Sequence, residues 1–209
     1  MGTRLHGRGL SIGLVTRDPV LASKVLSAGR SAGCSVLWVS SPDELPLHVD
    51  AVIVGSDASV SEHLRPTVKV GEEVSAECAV LRAIAASRSR GAPKLEVSVD
   101  PGRRMGLVVL LNGVVIASSV LVEVSELIEA VKDVVRCVRT DPSVIYVGSR
   151  PGPELRDLLS AIKSNFPSSE VTLVPEGPDI GAPLPEDLKG DALDAYVIYL
   201  RAISSAPEE

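Results

Sequence analysis

Residues 97–118 read VSVDPGRRMGLVVLLNGVVIAS, and this stretch decides the fold of the C-terminal half. Three β-rich runs, 95–99, 105–111 and 114–121, are separated by Asp100-Pro101-Gly102 and by Asn112-Gly113. An Asn-Gly pair between such runs predicts a two-residue hairpin, because both central positions of a type I′ turn need positive φ. The C-terminal half therefore opens with antiparallel strands.

Downstream the period changes. Leu127, Ile128, Val131, Val134 and Val135 recur at helical spacing and predict a helix over 124–139. A strand over 143–147, a helix over 154–165, a strand over 170–174 and a last helix over 186–203 follow. Three antiparallel strands followed by alternating helices and parallel strands is the order of a ribonuclease H-like mixed sheet.

Upstream of this stretch the pattern is simpler. Apolar runs at 10–16, 34–40, 49–54 and 66–70 predict strands, with Asp18-Pro19 starting a helix that Gly33 ends. Val74, Cys78, Leu81, Ile84 and Ala85 mark a second helix, over 72–87. Strands and helices alternating at this interval imply a small parallel sheet. Residues 87–94, SRSRGAPK, are polar and basic and carry Gly and Pro. The expected organisation is an αβ domain over 1–87, a linker over 88–94 and a mixed-sheet domain over 95–209.

Composition bounds what these domains do. At 209 residues and 45% hydrophobic, the chain has length for two small domains and enough apolar surface for real cores. No apolar run reaches bilayer length and the N-terminus lacks a secretory signal, so a cytoplasmic protein is expected. Cys34, Cys78 and Cys137 are scattered and read as free thiols of a reducing compartment. The absence of glutamine, with only Asn112 and Asn165 as asparagines, fits a thermophile, although compositional drift gives the same pattern. His6, His48 and His63 read as surface residues. Residues 1–93 hold ten basic and nine acidic side chains, whereas residues 94–209 hold eleven and eighteen. An acidic balance argues against binding nucleic acid chiefly through a basic face, but a carboxylate-lined metal site makes a domain acidic too.

The acids are distributed with a pattern. Asp100 ends the first strand of the mixed sheet, Glu176 follows the last strand, and Asp187, Asp191 and Asp194 sit at helical spacing near the C-terminus. Two-ion chemistry on a phosphodiester needs carboxylates from separate segments converging at one sheet edge. Asp100, Glu176, Asp191 and Asp194 are the candidate catalytic residues, with Mg2+ or Mn2+ as the expected cofactor. Each also has an ordinary reading: Asp-Pro-Gly is a common turn, and helix-start acids complement the helix dipole.

VSVDPGRRMGLVVLLNGVVIAS resembles the opening of RuvC-type Holliday junction resolvases and YqgF-type proteins. SVIYVGSRPG, VTLVPEG and KGDALDAYVIYLRA are similar to later segments of that family, so the resemblance spans about residues 94–204. It implies a ribonuclease H-like fold with Asp100, Glu176 and Asp191 as metal ligands and Asp194 assisting. The implied activity is metal-dependent cleavage of branched or structured nucleic acid. Two departures stand out: Val147, Gly148 and Ser149 occupy the place of the resolvases' fourth-strand glutamate, and Pro175-Glu176-Gly177 replaces Asp-Glu-Arg. They motivate the alternative of a non-catalytic module of the same fold that binds protein or nucleic acid. The N-terminal half resembles response-regulator receiver domains, a flavodoxin-like fold. It has Thr16 and Arg17 where receivers carry an acidic pair, and Asp57 lies slightly past the phosphoacceptor place. Oligomeric state is not fixed by the sequence.

Overall fold

A computed structural model describes residues 3–58, 65–71, 73–89, 92–149, 153–175, 177 and 181–205. The chain divides into two compact units, Arg4–Ala92 and Pro93–Glu209, the latter joined by Met1–Thr3. Among the described residues no helix is long and apolar enough to cross a membrane.

After a two-residue strand, β1 (Arg4–Leu5), the N-terminal unit builds β2 (Ser11–Val15), β3 (Ser35–Val39), β4 (Ala51–Val54) and β5 (Thr67–Lys69). These four form an all-parallel sheet in the order β3-β2-β4-β5. Helix α1 (Pro19–Ala32) starts where the sequence dictates: the Asp18 carboxylate accepts the Val20 N–H at 2.8 Å, and Pro19 takes the first position. Gly33, at φ 76°, closes the helix in the left-handed conformation. α1 packs on β3 and on α2 (Ala76–Arg88), which covers β4 and β5. Val15, Val39, Val49, Val52 and Val54 form one valine-rich core cluster.

Asp57 turns back onto the β2–α1 connection. It accepts the Thr16 hydroxyl at 2.8 Å and the Arg17 N–H at 2.6 Å. The Arg17 backbone bond first, and the Thr16 hydroxyl second, hold its carboxyl below the ordinary range. Trp38 completes the knot by donating its indole N–H to the Thr16 carbonyl at 2.8 Å. One smaller expectation needs correction. His6 is buried rather than on the surface, while His48 is exposed and His63 lies outside the described residues. Cys34 is a free thiol, pushed up to about 11 by burial.

The C-terminal unit follows the expected order. β6 (Leu95–Asp100), β7 (Met105–Leu111) and β8 (Val114–Leu121) make an antiparallel meander. Asn112 and Gly113 turn its second corner at φ 51° and 79°, as a type I′ turn requires. α3 (Val124–Val138), β9 (Pro142–Gly148), α4 (Pro153–Asn165), β10 (Glu170–Val174) and α5 (Asp191–Ser204) complete the unit. β9 pairs parallel with β6, and β10 with β9, so these strands lie in the order β8-β7-β6-β9-β10. Only β7 runs against the rest. That mixed sheet is ribonuclease H-like, and with the separate parallel sheet the protein is α/β throughout.

Helix α5 is the element that builds the site. Its Ala195, Ile198 and Tyr199 pack with Val108, Leu110, Tyr146 and Val174 in one buried cluster. It begins at Asp191, five residues later than the sequence pattern predicts. Gly190, at φ 55° and ψ −140°, holds a backbone that L side chains rarely adopt and that no helix contains. Asp187 therefore precedes the helix and shares no helical face with Asp191 and Asp194.

Candidate functional site at the carboxyl edge of the mixed sheet

Two close contacts fix α5 over the end of β6. Ser98, two residues before Asp100 and on the same strand face, donates its hydroxyl to the Ala195 carbonyl at 2.7 Å. Asp100 pairs across the meander with Gly106, and there the helix backbone comes down onto the sheet. A Cβ at residue 106 would lie 1.7 Å from the Asp191 carbonyl oxygen, so only glycine permits the approach. As a result Asp100 and Asp194 line one cavity of about 300 Å3, together with Gly148, Val174, Gly177, Val197, Ile198 and Arg201.

Not every expected member arrives. Asp191 Oδ2 lies 3.2 Å from Arg104 Nε, an ion pair between the first residue of α5 and the β6–β7 connection. Glu176 lies outside the described residues. Arg201 is a member that sequence reasoning missed. Its guanidinium donates to the Gly177 carbonyl while its side chain lines the cavity. Its position two turns after Asp194 on an amphipathic helix is the signal that would have placed it on that face.

A two-ion centre needs several carboxylates converging on one point. Among the described residues, no group of three or more His, Cys, Asp or Glu side chains is placed to hold a metal. At its carboxyl end β9 carries Val147 and Gly148 and no acid. Val147 is fully buried in the core. A Cβ at Gly148 would lie 2.8 Å from Ile198 Cδ1 and 3.1 Å from Pro101 Cδ. The described carboxylates thus do not fit a two-ion centre.

A second polar group lies nearer the start of β6. Glu96 is buried, accepts the Tyr146 hydroxyl at 3.3 Å and pairs with Lys94 Nζ at 2.8 Å. The hydrogen bond to Glu96 holds the Lys94 ammonium above its ordinary value. Burial first, and Glu96 second, push the Tyr199 hydroxyl up to about 12. This cluster partners itself.

No family model matches the chain, and no curated protein matches it. Among solved structures it is similar to Marinitoga piezophila Argonaute in complex with 5′ OH guide RNA. The identity is 11% and the TM-score 0.30, over 79% of this chain and 39% of that one. The same Argonaute with guide RNA and target DNA matches at 11% identity and TM-score 0.28, over 82% of this chain and 40% of that one. The chain spans about two-fifths of the length of these structures. The class of the C-terminal unit, a ribonuclease H-like α/β domain, rests on its own strand order.

Proposed function

We propose that the C-terminal unit is a ribonuclease H-fold module that binds nucleic acid without cutting it by two-ion chemistry. The observation that carries this reading is the state of the carboxylate rim. Asp191 is paired with Arg104, and β9 ends in Val147 and Gly148 and brings no acid to the rim. Exposed Arg103 and Arg104 on the β6–β7 connection offer contacts to a phosphate backbone, locally offsetting the acidity of the unit.

A metal-dependent nuclease is the second reading, and the pocket shared by Asp100 and Asp194 favours it. Magnesium often uses one or two carboxylates and completes its shell with substrate phosphate and water. If such an ion were bound, Asp100 and Asp194 would be its ligands, and Arg201 would face the same space.

One assay separates the two. Junction, flap and hybrid substrates are incubated with Mg2+ or Mn2+ and either the natural protein or the Asp100→Asn variant, with retention of the same substrates measured by gel shift. Retention with no cleavage above the variant is expected. Metal-dependent cleavage that vanishes in Asp100→Asn would establish the nuclease instead.

A further inference from the structure

The parallel sheet of the N-terminal unit ends in β3 on one side and β5 on the other, and the two edges are built differently. β5 is preceded by Pro66 and ends at the exposed Lys69, residues of the kinds that discourage a further strand. β3 carries no such guard. Residues 34–40, CSVLWVS, hold no charge and no proline, and Leu37 and Trp38 are 41% and 42% exposed. The Trp38 indole N–H is tied to the Thr16 carbonyl, which fixes the ring in place on the edge. The Ser35 N–H donates to the Leu10 carbonyl, and the Val39 carbonyl accepts the Thr16 N–H, so the backbone groups of Ser35, Leu37 and Val39 turn inward to β2. Those of Val36 and Trp38, which alternate with them, turn outward. Charge is graded along the same edge. Exposed Arg8 and Arg30 stand at its amino end, where a Cβ at Gly33 would lie 3.7 Å from Arg8 Cα, and exposed Asp43 and Glu44 follow its carboxyl end.

From this edge we infer that the N-terminal unit pairs with a second copy of the chain, β3 against β3, about a two-fold axis at Leu37. Antiparallel pairing about that point sets Val36 opposite the partner's Trp38, and there the outward backbone groups exchange both of their hydrogen bonds. Leu37 falls opposite the partner's Leu37, in the non-hydrogen-bonded position where side chains approach most closely. The edge is thus its own complement in backbone and in apolar side chains. Charge selects the same arrangement. The two-fold operation carries each basic amino end to the partner's acidic carboxyl end, whereas parallel pairing would set like charges together. A contact of this kind is isologous, the commonest form of association between identical chains. It joins two four-stranded sheets into one of eight strands and places the fixed indole of Trp38 near its centre, where aromatic anchors contribute most. The inference is independent of whether the C-terminal unit cuts or only binds nucleic acid.

The test is sedimentation velocity of the full chain over roughly 1–100 μM, the span of moderate-affinity association, with emission of Trp38, the sole tryptophan, recorded on the same samples. A dimer is expected to form within that range, and Trp38 emission should move to shorter wavelength in step with it. Leu37→Lys and Leu37→Asp each put like charges across the axis and should weaken association by about tenfold or more. Mixing the two variants in equal amounts should restore both the dimer and the emission shift, because lysine then faces aspartate. Leu173→Lys, at an exposed leucine on the edge strand β10 of the other unit, should change association by less than about threefold. A natural protein that stays monomeric throughout would overturn the inference. So would a dimer indifferent to charge at Leu37, equal weakening by Leu173→Lys, or a mixture that fails to recover. Thermal unfolding checks that each variant folds. If the charged Leu37 variants do not, Asp43→Lys/Glu44→Lys leaves the strand intact and carries the comparison. It should weaken the dimer by about tenfold, and unchanged association would overturn the inference.

Discussion

At the scale of single residues, two positions show space and hydrogen bonds already committed to packing and loop closure. Gly148 ends β9 at the rim, and a side chain there meets Ile198 and Pro101. Gly148→Glu should therefore force Ile198 and Pro101 to shift. It should destabilise the C-terminal unit by about 1–3 kcal/mol or more, the cost of overpacking plus a charge forced toward a core, and chemical denaturation would measure it. Asp57 makes the corresponding point in the N-terminal unit, where two hydrogen bonds commit its carboxylate to closing a loop. Its folded-state pKa is lowered, so its stabilisation is fully present above the unfolded value of about 3.9 and is lost as pH falls through the lower folded value. Asp57→Ala should lower the urea midpoint at pH 7. That gap to the natural protein should narrow progressively below about pH 4. A gap of the same size at pH 3 would contradict the assignment.

At the scale of elements, the meeting of α5 with β7 organises the rim. Gly106→Ala places a methyl group where the Asp191 carbonyl already is, and backbone cannot yield as a flexible side chain can. We expect a loss of roughly 3 kcal/mol, at the upper end for overpacking, seen as a lower unfolding midpoint. The strands were legible because their signals are local: apolar runs bounded by Asp-Pro-Gly and Asn-Gly leave little choice of hairpin. The start of α5 was not. Glu186 to Leu188 look like a helical first turn, and only the backbone of Gly190 reveals the break. The Arg104–Asp191 pair was equally hidden, since an ion pair between distant segments depends on how the helix is seated. Arg103 and Arg104 suggest only a cation near the turn. The sequence pattern gathered Asp100, Asp191 and Asp194 toward one edge, where the structure lines one cavity with Asp100 and Asp194 and pairs Asp191 with Arg104.

At the scale of the whole molecule, cation binding and folding stability are linked. A ligand that binds only the folded state stabilises it according to its concentration relative to its dissociation constant, and a hundredfold excess contributes about 2.7 kcal/mol. A protein built around a resident divalent centre should therefore show a clear rise in unfolding midpoint on adding millimolar Mg2+ or Mn2+, and a fall on chelation. Here the described carboxylates form no metal-holding group, and the charge of Asp191 is already met by Arg104. The midpoint of the natural protein should stay unchanged, within the precision of calorimetry, between EDTA and 5 mM Mg2+, a concentration about a hundredfold above a resident site of 50 μM affinity. Because the comparison is made within one protein, nonspecific salt effects enter both arms alike, and KCl at matched ionic strength removes what remains. A large Mg2+-dependent rise in the natural protein would mean that a cation already completes the rim, and the pocket lined by Asp100 and Asp194 would be where to look for it.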